Sequence, residues 1–434
     1  MAGGLENVAV KQLDQGLDVT KPDHPHTGSL SPRKRKNDDR GDQPSELQDF
    51  LHRTKLSDMC KEDQKLVVLE HNNTVSTALK ELALNNILSA PLVVAPDLED
   101  LVDPDSSNAD QYAAPSLLGW VDVHDILRAF LRHLEEGEKP IPTKMLQLMT
   151  ILEHEGPRFA NKPLVTIMGG YDKGLVYQAN SSSSLLETIR DMFLKQSGPG
   201  EDPGAQVTHR LAIFDAHGYI THIVSQLDVI RFLLNNAKQL GPLVDQTVEE
   251  LGMLAGKPPV TTVDPHEPTL LAYKKMLADN VQGAAVVCAD GQLITNLSIS
   301  DLRCIQPQHF GVLALPVAEF LALMHHTTYV GYSVHSSGSA KHPFFVEGDG
   351  QKRSRKAAQP DVSPTSVVEA KGDGPLKPYL EPITCTVQAT LRQVLELLVE
   401  NHIHRVYVVD KLDKPHAIAV VTPTDVMRVI SGVW

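Results

Sequence analysis

Two rhythms of apolar residues alternate along this chain. TVSTALKELALNN, SLLETIRDMFLKQ, TLLAYKKMLADN and TLRQVLELLVEN place apolar residues near i, i+3, i+4 and i+7, the spacing of an amphipathic helix. Each begins beside a Thr or Ser able to cap it. Downstream of each comes a short run with strand character: APLVVA, HRLAIFD, GAAVVCAD and HRVYVVD. A second apolar stretch then ends in Asp and enters another predicted helix: GWVDVHDILRAFL (119–131), HIVSQLDVIRFLL (222–234), NLSISDLRCI (296–305) and AVVTPTDVMRVI (419–430). The predicted unit is strand, helix, strand, strand, helix, and it occurs four times. Such repetition implies an α/β (α+β) tandem array in which neighbouring units share cores.

Polar stretches interrupt the array. Residues 1–45 are rich in Pro, Asp and charge and predict a disordered tail. Arg33, Lys34, Arg35 and Lys36 within it suit either a solvated charge run or a nuclear-import address. Residues 333–377 predict a disordered linker, in which Ser354 and Ser363–Pro364 are modification candidates of little specificity. A shorter interruption covers 96–116. The predicted boundaries are 50–135, 157–240, 243–310 and 378–434 for the four units, with 311–332 as a connector.

Composition narrows the classes of function. The chain has 434 residues, 41% of them hydrophobic and 5% aromatic, so small aliphatics build the cores. A net charge of −14 argues against broad nucleic-acid binding and leaves room only for a local basic pocket. Cys60, Cys288, Cys304 and Cys385 form no CxxC and have no His at zinc-ligand spacing, as expected of incidental thiols in a reducing compartment. No apolar run reaches the ~20 residues of a membrane span, and the N-terminus lacks a signal-peptide core. A cytoplasmic or nuclear location without a membrane partner is expected. GxxxxGK[ST], HExxH and GxSxG are all missing, so neither catalysis, nor a metal, nor a cofactor is expected. His325–His326 reads as a solvated pair, and Ser181–Ser184 as a helix cap.

The candidate chemistry lies at the strand entrances. His209–Arg210 and His404–Arg405 hold equivalent places in the second and fourth units. Arginine offers a planar fork suited to phosphate oxygens, and the neighbouring His adds a donor. His402 is read as a junction residue. Asp125, Asp228, Asp301 and Asp425 each begin a helix, where a carboxylate caps free amides. Ser225, Ser298, Ser300, Thr422 and Thr424 stand just before them as donors to phosphate or ribose. The first unit has Asp122 in place of that hydroxyl, which would repel phosphate.

These four units resemble cystathionine-β-synthase (CBS) domains. SDMCKEDQKLVVLEHNNTVSTALKELALNNILSAPLVV, NHIHRVYVVD and TPTDVMRVI are similar to the first and fourth repeats of the γ subunit of AMP-activated protein kinase and its yeast and plant counterparts. FGVLALPVAEFLAL (310–323) resembles the plant-type connector. The resemblance implies two tandem CBS pairs, units one with two and three with four. It implies a regulatory ligand, AMP, ADP or ATP, held in clefts between paired units. His209, Arg210, His404 and Arg405 would take phosphate. Asp228, Asp301, Asp425 and, least convincingly, Asp125 would take ribose. Apolar residues such as Ile403 would line the base pocket. The implied partners are a kinase catalytic α-type subunit and a β-type scaffold.

Departures from the γ pattern leave a second reading open. Leu88 and Ser89 stand where a basic residue precedes the Ala-Pro strand, and Leu227 stands where a Lys precedes the second unit's last helix. The third unit enters its strand as VQGAAVV, with no basic residue. The alternative is a CBS scaffold that binds no nucleotide and works as an interaction protein or homodimer.

Overall fold

Four three-stranded sheets with one topology carry the structure, a computed structural model. It describes residues 46–60, 64–94, 116–136, 140–167, 178–179, 182–194, 208–215, 217–303, 305–325, 327–329, 345–347 and 382–433. The expected tail, most of the 333–377 linker, all of the 96–116 interruption but Ser116, Arg33–Lys36, Ser354, Ser363–Pro364 and Cys304 lie outside the described residues.

In each unit a two-residue strand pairs in parallel with the second strand, which pairs antiparallel with the third. Unit 1 uses Leu69–Glu70, Ser89–Val94 and Ser116–Asp122. Unit 2 uses Gln178–Ala179, Arg210–Phe214 and Ile220–Ser225. Unit 3 uses Thr262–Val263, Gly283–Val287 and Leu293–Ser298. Unit 4 uses Thr384–Cys385, Val406–Val409 and Ala417–Val421. The parallel crossover needs a helix between the first two strands. Val75–Leu84, Thr269–Ala278 and Leu391–Glu400 supply it in units 1, 3 and 4. In unit 2, Ser184 caps a single turn, Leu185–Glu187, which widens into a π-helix over Thr188–Phe193.

After the third strand, units 1, 2 and 4 turn into the helices Val123–Glu135, Gln226–Asn235 and Pro423–Ser431. Unit 3 departs from the expected pattern. Its closing helix is one 3-10 turn, Ile299–Leu302, followed by a second 3-10 segment, Pro307–Ala314. Pro307 sets the start of the second segment, because proline disfavours helical backbone in the residue before it, and Gln306 is extended.

The cores are shared, between the neighbours 3 and 4 as expected and also between units that are not neighbours in sequence. Helices and inner strand faces of units 1 and 3 form one core around Leu82, Phe130, Tyr273 and Phe320. Units 2 and 4 form another around Ile189, Ile230, Leu398 and Met427. Units 3 and 4 meet through their sheets, where Ala285 and Leu293 pack on Tyr407 and Val409. The Tyr407 hydroxyl donates across that seam to Asn296 Oδ1 at 2.6 Å. The segments after units 1 and 3 also interlock. A Cβ on Gly156, in the helix Met145–Ala160, would lie 2.9 Å from Phe310 Cβ, so only glycine allows that approach.

The chain also crosses between units. Residues 46–60 precede the first strand of unit 1, and 50–60 fall within its expected 50–135 span, yet Leu51 and Leu56 are buried in the core of units 2 and 4. Lys55 bridges Ser184, at the start of unit 2's first helical turn. Thr247, ahead of unit 3, bridges Thr390 at the equivalent point of unit 4.

Ile230 is fully buried in the core of units 2 and 4. Ile230→Ala should cost about 2–5 kcal/mol through lost burial and the cavity left behind. Urea unfolding followed by circular dichroism checks this, with units 2 and 4 expected to melt together.

Candidate functional site

Sheet register identifies equivalent positions. Ser89, Arg210 and Gly283 each pair with the residue that caps the following helix or turn: Asp122, Ser225 and Ser298. In unit 4, Arg405 stands one residue outside the Val406↔Val421 pair, opposite the cap Thr422. One residue earlier stand Leu88, His209, Gln282 and His404. The three caps Ser225, Ser298 and Thr422 sit in reciprocal boxes with Asp228, Asp301 and Asp425, satisfying two backbone amides at once.

The strand entrances of all four units converge on one central cavity. Leu88, Asp122 and His124 come from unit 1, and His209, Arg210, Ser225 and Gln226 from unit 2. Gln282, Ser298 and Ser300 come from unit 3, and His404 and Arg405 from unit 4. The space open to the centres of water-sized spheres is about 50 Å³. That suits a few waters or one tetrahedral anion rather than a whole nucleotide, whose pockets run to roughly 300 Å³ or more.

The cavity is a cluster of cations. Burial pushes Arg210 down, and Arg303 adds repulsion, while Asp122 and Asp228 oppose both. Burial likewise lowers Arg405, and the Tyr407 hydroxyl opposes it by hydrogen bonding, with help from Asp301. Arginine remains charged throughout. Burial raises Asp122, opposed by the Asp125 amide, Arg210, the His124 amide and Arg128. Arg405 crosses to unit 3: a Cβ built on Gly283 would overlap its guanidinium. The entrance lacking a basic residue is therefore filled by the arginine of the next unit.

The histidines are held neutral. His209 is lowered to about 4 by burial and then by Arg210, with Arg405 and His124 contributing. Its Nε2 lies 3.0 Å from Gln282 Nε2. His124 is lowered to about 4 by burial and Arg128. His404 is lowered to about 3 by desolvation, then by Arg210, His209, Arg405 and Arg303. Its residue is exposed at the cavity mouth, so the cations are the more durable cause.

Of the expected phosphate residues, the structure brings His209, Arg210, His404, Arg405, Ser225, Ser298 and Ser300 to this cavity. Thr422 and Thr424 stand off its lining. Thr422 Oγ1 donates to Asp425 at 2.8 Å, and Thr424 Oγ1 donates to Gln226 Oε1 at 3.3 Å. Ile403 is also off the lining, packed on the core of units 2 and 4. None of the four aspartates named for ribose lines the cavity. Asp228 Oδ2 accepts from Ser225, and its Oδ1 pairs with Arg231 at 2.8 Å. Asp301 accepts from the Ser298 amide and faces His325 Nε2 at 3.1 Å. Asp425 accepts from Thr422 and pairs with the largely buried Lys257 at 2.7 Å. The Asp125 amide donates to Asp122 Oδ1 at 2.9 Å. Asp122, His124 and Asp125 bring three donor atoms within 4.8 Å, but Arg128 and Arg210 beside them disfavour a metal ion.

Sequence reasoning missed four residues. His124 is a polar residue at a buried first helical turn. Gln226 and Gln282 are neutral, so charge gave no signal. Arg303 follows Asp301 by two residues, whereas Arg128, Arg231 and Arg428 follow their aspartates by three. That shift was readable. Arg303 donates to Asn86 Oδ1 in unit 1 at 2.6 Å. His402 takes φ 51° at the helix–strand junction, as Asn86 and Asn280 do at φ 53° and 52°, in keeping with the junction role.

Residues 378–432 match the family model for the CBS domain. The chain contains a CBS domain. Its mixed helix–strand fold is that of CBS-domain proteins. It is 25% identical over 276 residues to Protein SDS23 of Yarrowia lipolytica, covering 62% of this chain and 48% of that protein. It is 34% identical over 109 residues to Protein SDS23 of Saccharomyces cerevisiae, covering 22% of this chain and 21% of that one. The chain thus spans less than half the length of either yeast relative. Among solved structures, MJ1225 of Methanocaldococcus jannaschii superposes with TM-score 0.48 at 15% identity, over 86% of this chain and 99% of that one. CBSX2 of Arabidopsis thaliana superposes with TM-score 0.27 at 18% identity, over 43% and 97%. The sequence resemblance pointed toward kinase γ subunits, whereas these yeast relatives carry the name SDS23.

The three histidines generate a pH dependence. Their folded pKa values lie below the ordinary 6.5, so the unfolded chain binds more protons in that window. Their neutral state contributes stability above about pH 6.5, and that is lost as pH falls toward 4. Urea midpoints between pH 7 and 4 should fall, and fall less in His124→Gln/His209→Gln.

Proposed function

We propose that this chain is a non-catalytic regulatory subunit that senses an adenine nucleotide and modulates a Ser/Thr kinase complex. The convergence of Arg210, Arg405, His209, His404 and the hydroxyls of Ser225, Ser298 and Ser300 on one cavity carries the reading. Such a set is built to hold phosphate oxygens, with charge from arginine and directed donors from hydroxyls. The cavity's size means that a phosphate enters the centre while sugar and base lie outward between paired units. A ribose at Asp228, Asp301 or Asp425 would have to compete with the cap and with Arg231, His325 or Lys257. Nucleotides that differ in phosphate number neutralise the cation cluster to different extents. That difference is what regulation needs, since a ligand binding two states equally shifts neither. The kinase partner, with its catalytic and scaffold subunits, rests on the resemblance of units 1 and 4 to γ repeats.

The satisfied aspartates favour a second reading, an interaction scaffold that takes no nucleotide. Isothermal titration of the chain with AMP, ADP and ATP separates the two. Under the first reading at least one binds at micromolar level, and Arg210→Ala/Arg405→Ala weakens it by 100-fold or more. No heat and no thermal stabilisation with any of the three would leave the scaffold.

A further inference from the structure

The two arginines hold equivalent places but meet different partners. Arg405 reaches from unit 4 across Gly283, whose register partner is Ser298. Arg210, from unit 2, shares the cavity with unit 1, where the residue equivalent to Gly283 is Ser89 and its register partner is Asp122. In the cavity they share, one arginine therefore has a hydroxyl at the equivalent place and the other a carboxylate. Among the charges acting on Asp122 Arg210 is the strongest, and Asp122 is the strongest opposite charge acting on Arg210.

Asp122 is a good cap, but capping does not require its charge. Ser225, Ser298 and Thr422 do the same work in the other units. A carboxylate in this cavity offers oxygens to an arginine fork much as a phosphate would. We propose that Asp122 is a built-in counter-ion that occupies the anion place of units 1 and 2, so the cavity takes one phosphate group, at Arg405, Ser298 and Ser300. This rests on the nucleotide reading above and specifies it: Arg405 is the binding arginine, and Arg210 is already neutralised.

The inference predicts a gain of function. Asp122→Ser installs the cap of units 2 and 3, so the fold is retained, and Asp122→Asn provides a near-isosteric second variant. Titration with AMP and with inorganic phosphate is the readout, and melting temperatures report folding. Wild type should bind one AMP, lost in Arg405→Ala. Asp122→Ser should bind two. Asp122→Ser/Arg405→Ala should recover one, lost again when Arg210→Ala is added. Phosphate binding that follows the same pattern would show that the phosphate group alone suffices. Two sites in wild type, one of them lost in Arg210→Ala, would overturn the proposal. So would folded Asp122→Ser and Asp122→Asn proteins with wild-type stoichiometry. If wild type binds nothing, the nucleotide reading fails on its own. The counter-ion then stands if Asp122→Ser gains Arg210-dependent binding, and falls if it does not.

Discussion

Bringing Arg210 and Arg405 into one cavity, with Arg303 close by, is the constraint on which the centre of this molecule depends. Like charges held together away from water repel strongly, and a fold carries that cost only where compensation is built in. The compensation here comes from several elements. Asp122 and Asp228 act on Arg210, and Asp301 and Tyr407 act on Arg405. The three histidines stay neutral first because burial disfavours the imidazolium, and for His209 and His404 a further proton would also add to the same repulsion. Gly283 gives Arg405 the space it needs by having no side chain at all. Each feature looks idiosyncratic alone, yet all follow from the convergence of four strand entrances.

That convergence follows from the repeat. Each unit places a strand entrance beside a helix cap, which gives four copies of one corner. The helical faces pair units 1 with 3 and 2 with 4, and the sheets join unit 3 to unit 4. The crossing segments reinforce this, since Lys55 and Thr247 anchor helix starts in units they do not precede. A domain boundary drawn on sequence alone cuts through them. The assembly is therefore better described by its corners than by its linear order.

Most of the unit was legible in the sequence. Helical and strand periodicities are local, and the four aspartates were placed at helix starts, where a carboxylate can cap amides; Ser225, Ser298 and Thr422, read as donors to a ligand, are the caps that pair with three of them. The two His-Arg entrances stood out because charge is rare beside an apolar strand. Other features were not legible, for physical reasons. Amphipathic helices show that a partner exists but not which one, so the 1–3 and 2–4 cores gave no signal. Gly283 looked like a lost basic residue, because the arginine that fills its place lies far along the chain. Gln282 and Leu88 hold the position of His209 and His404 without sharing their chemistry. Ile403 looked like a pocket residue because it neighbours His404, but it precedes the strand Val406–Val409 and packs on the core of units 2 and 4.

The same geometry bears on how a ligand would act. A phosphate among these arginines would relieve repulsion between elements of different units, so its effect would extend beyond its own contacts. It would also favour protonation of His209 and His404, whose low pKa values reflect the surrounding cations as well as burial. An anion and a proton would then stabilise each other here, although either charge alone is unfavourable in part of the site. Under the counter-ion proposal, Asp122 would supply the first effect to unit 1 without a ligand. The cavity would then hold a built-in carboxylate beside Arg210 and leave the Arg405 side to an anion from solution, so binding there would be what changes the repulsion between units.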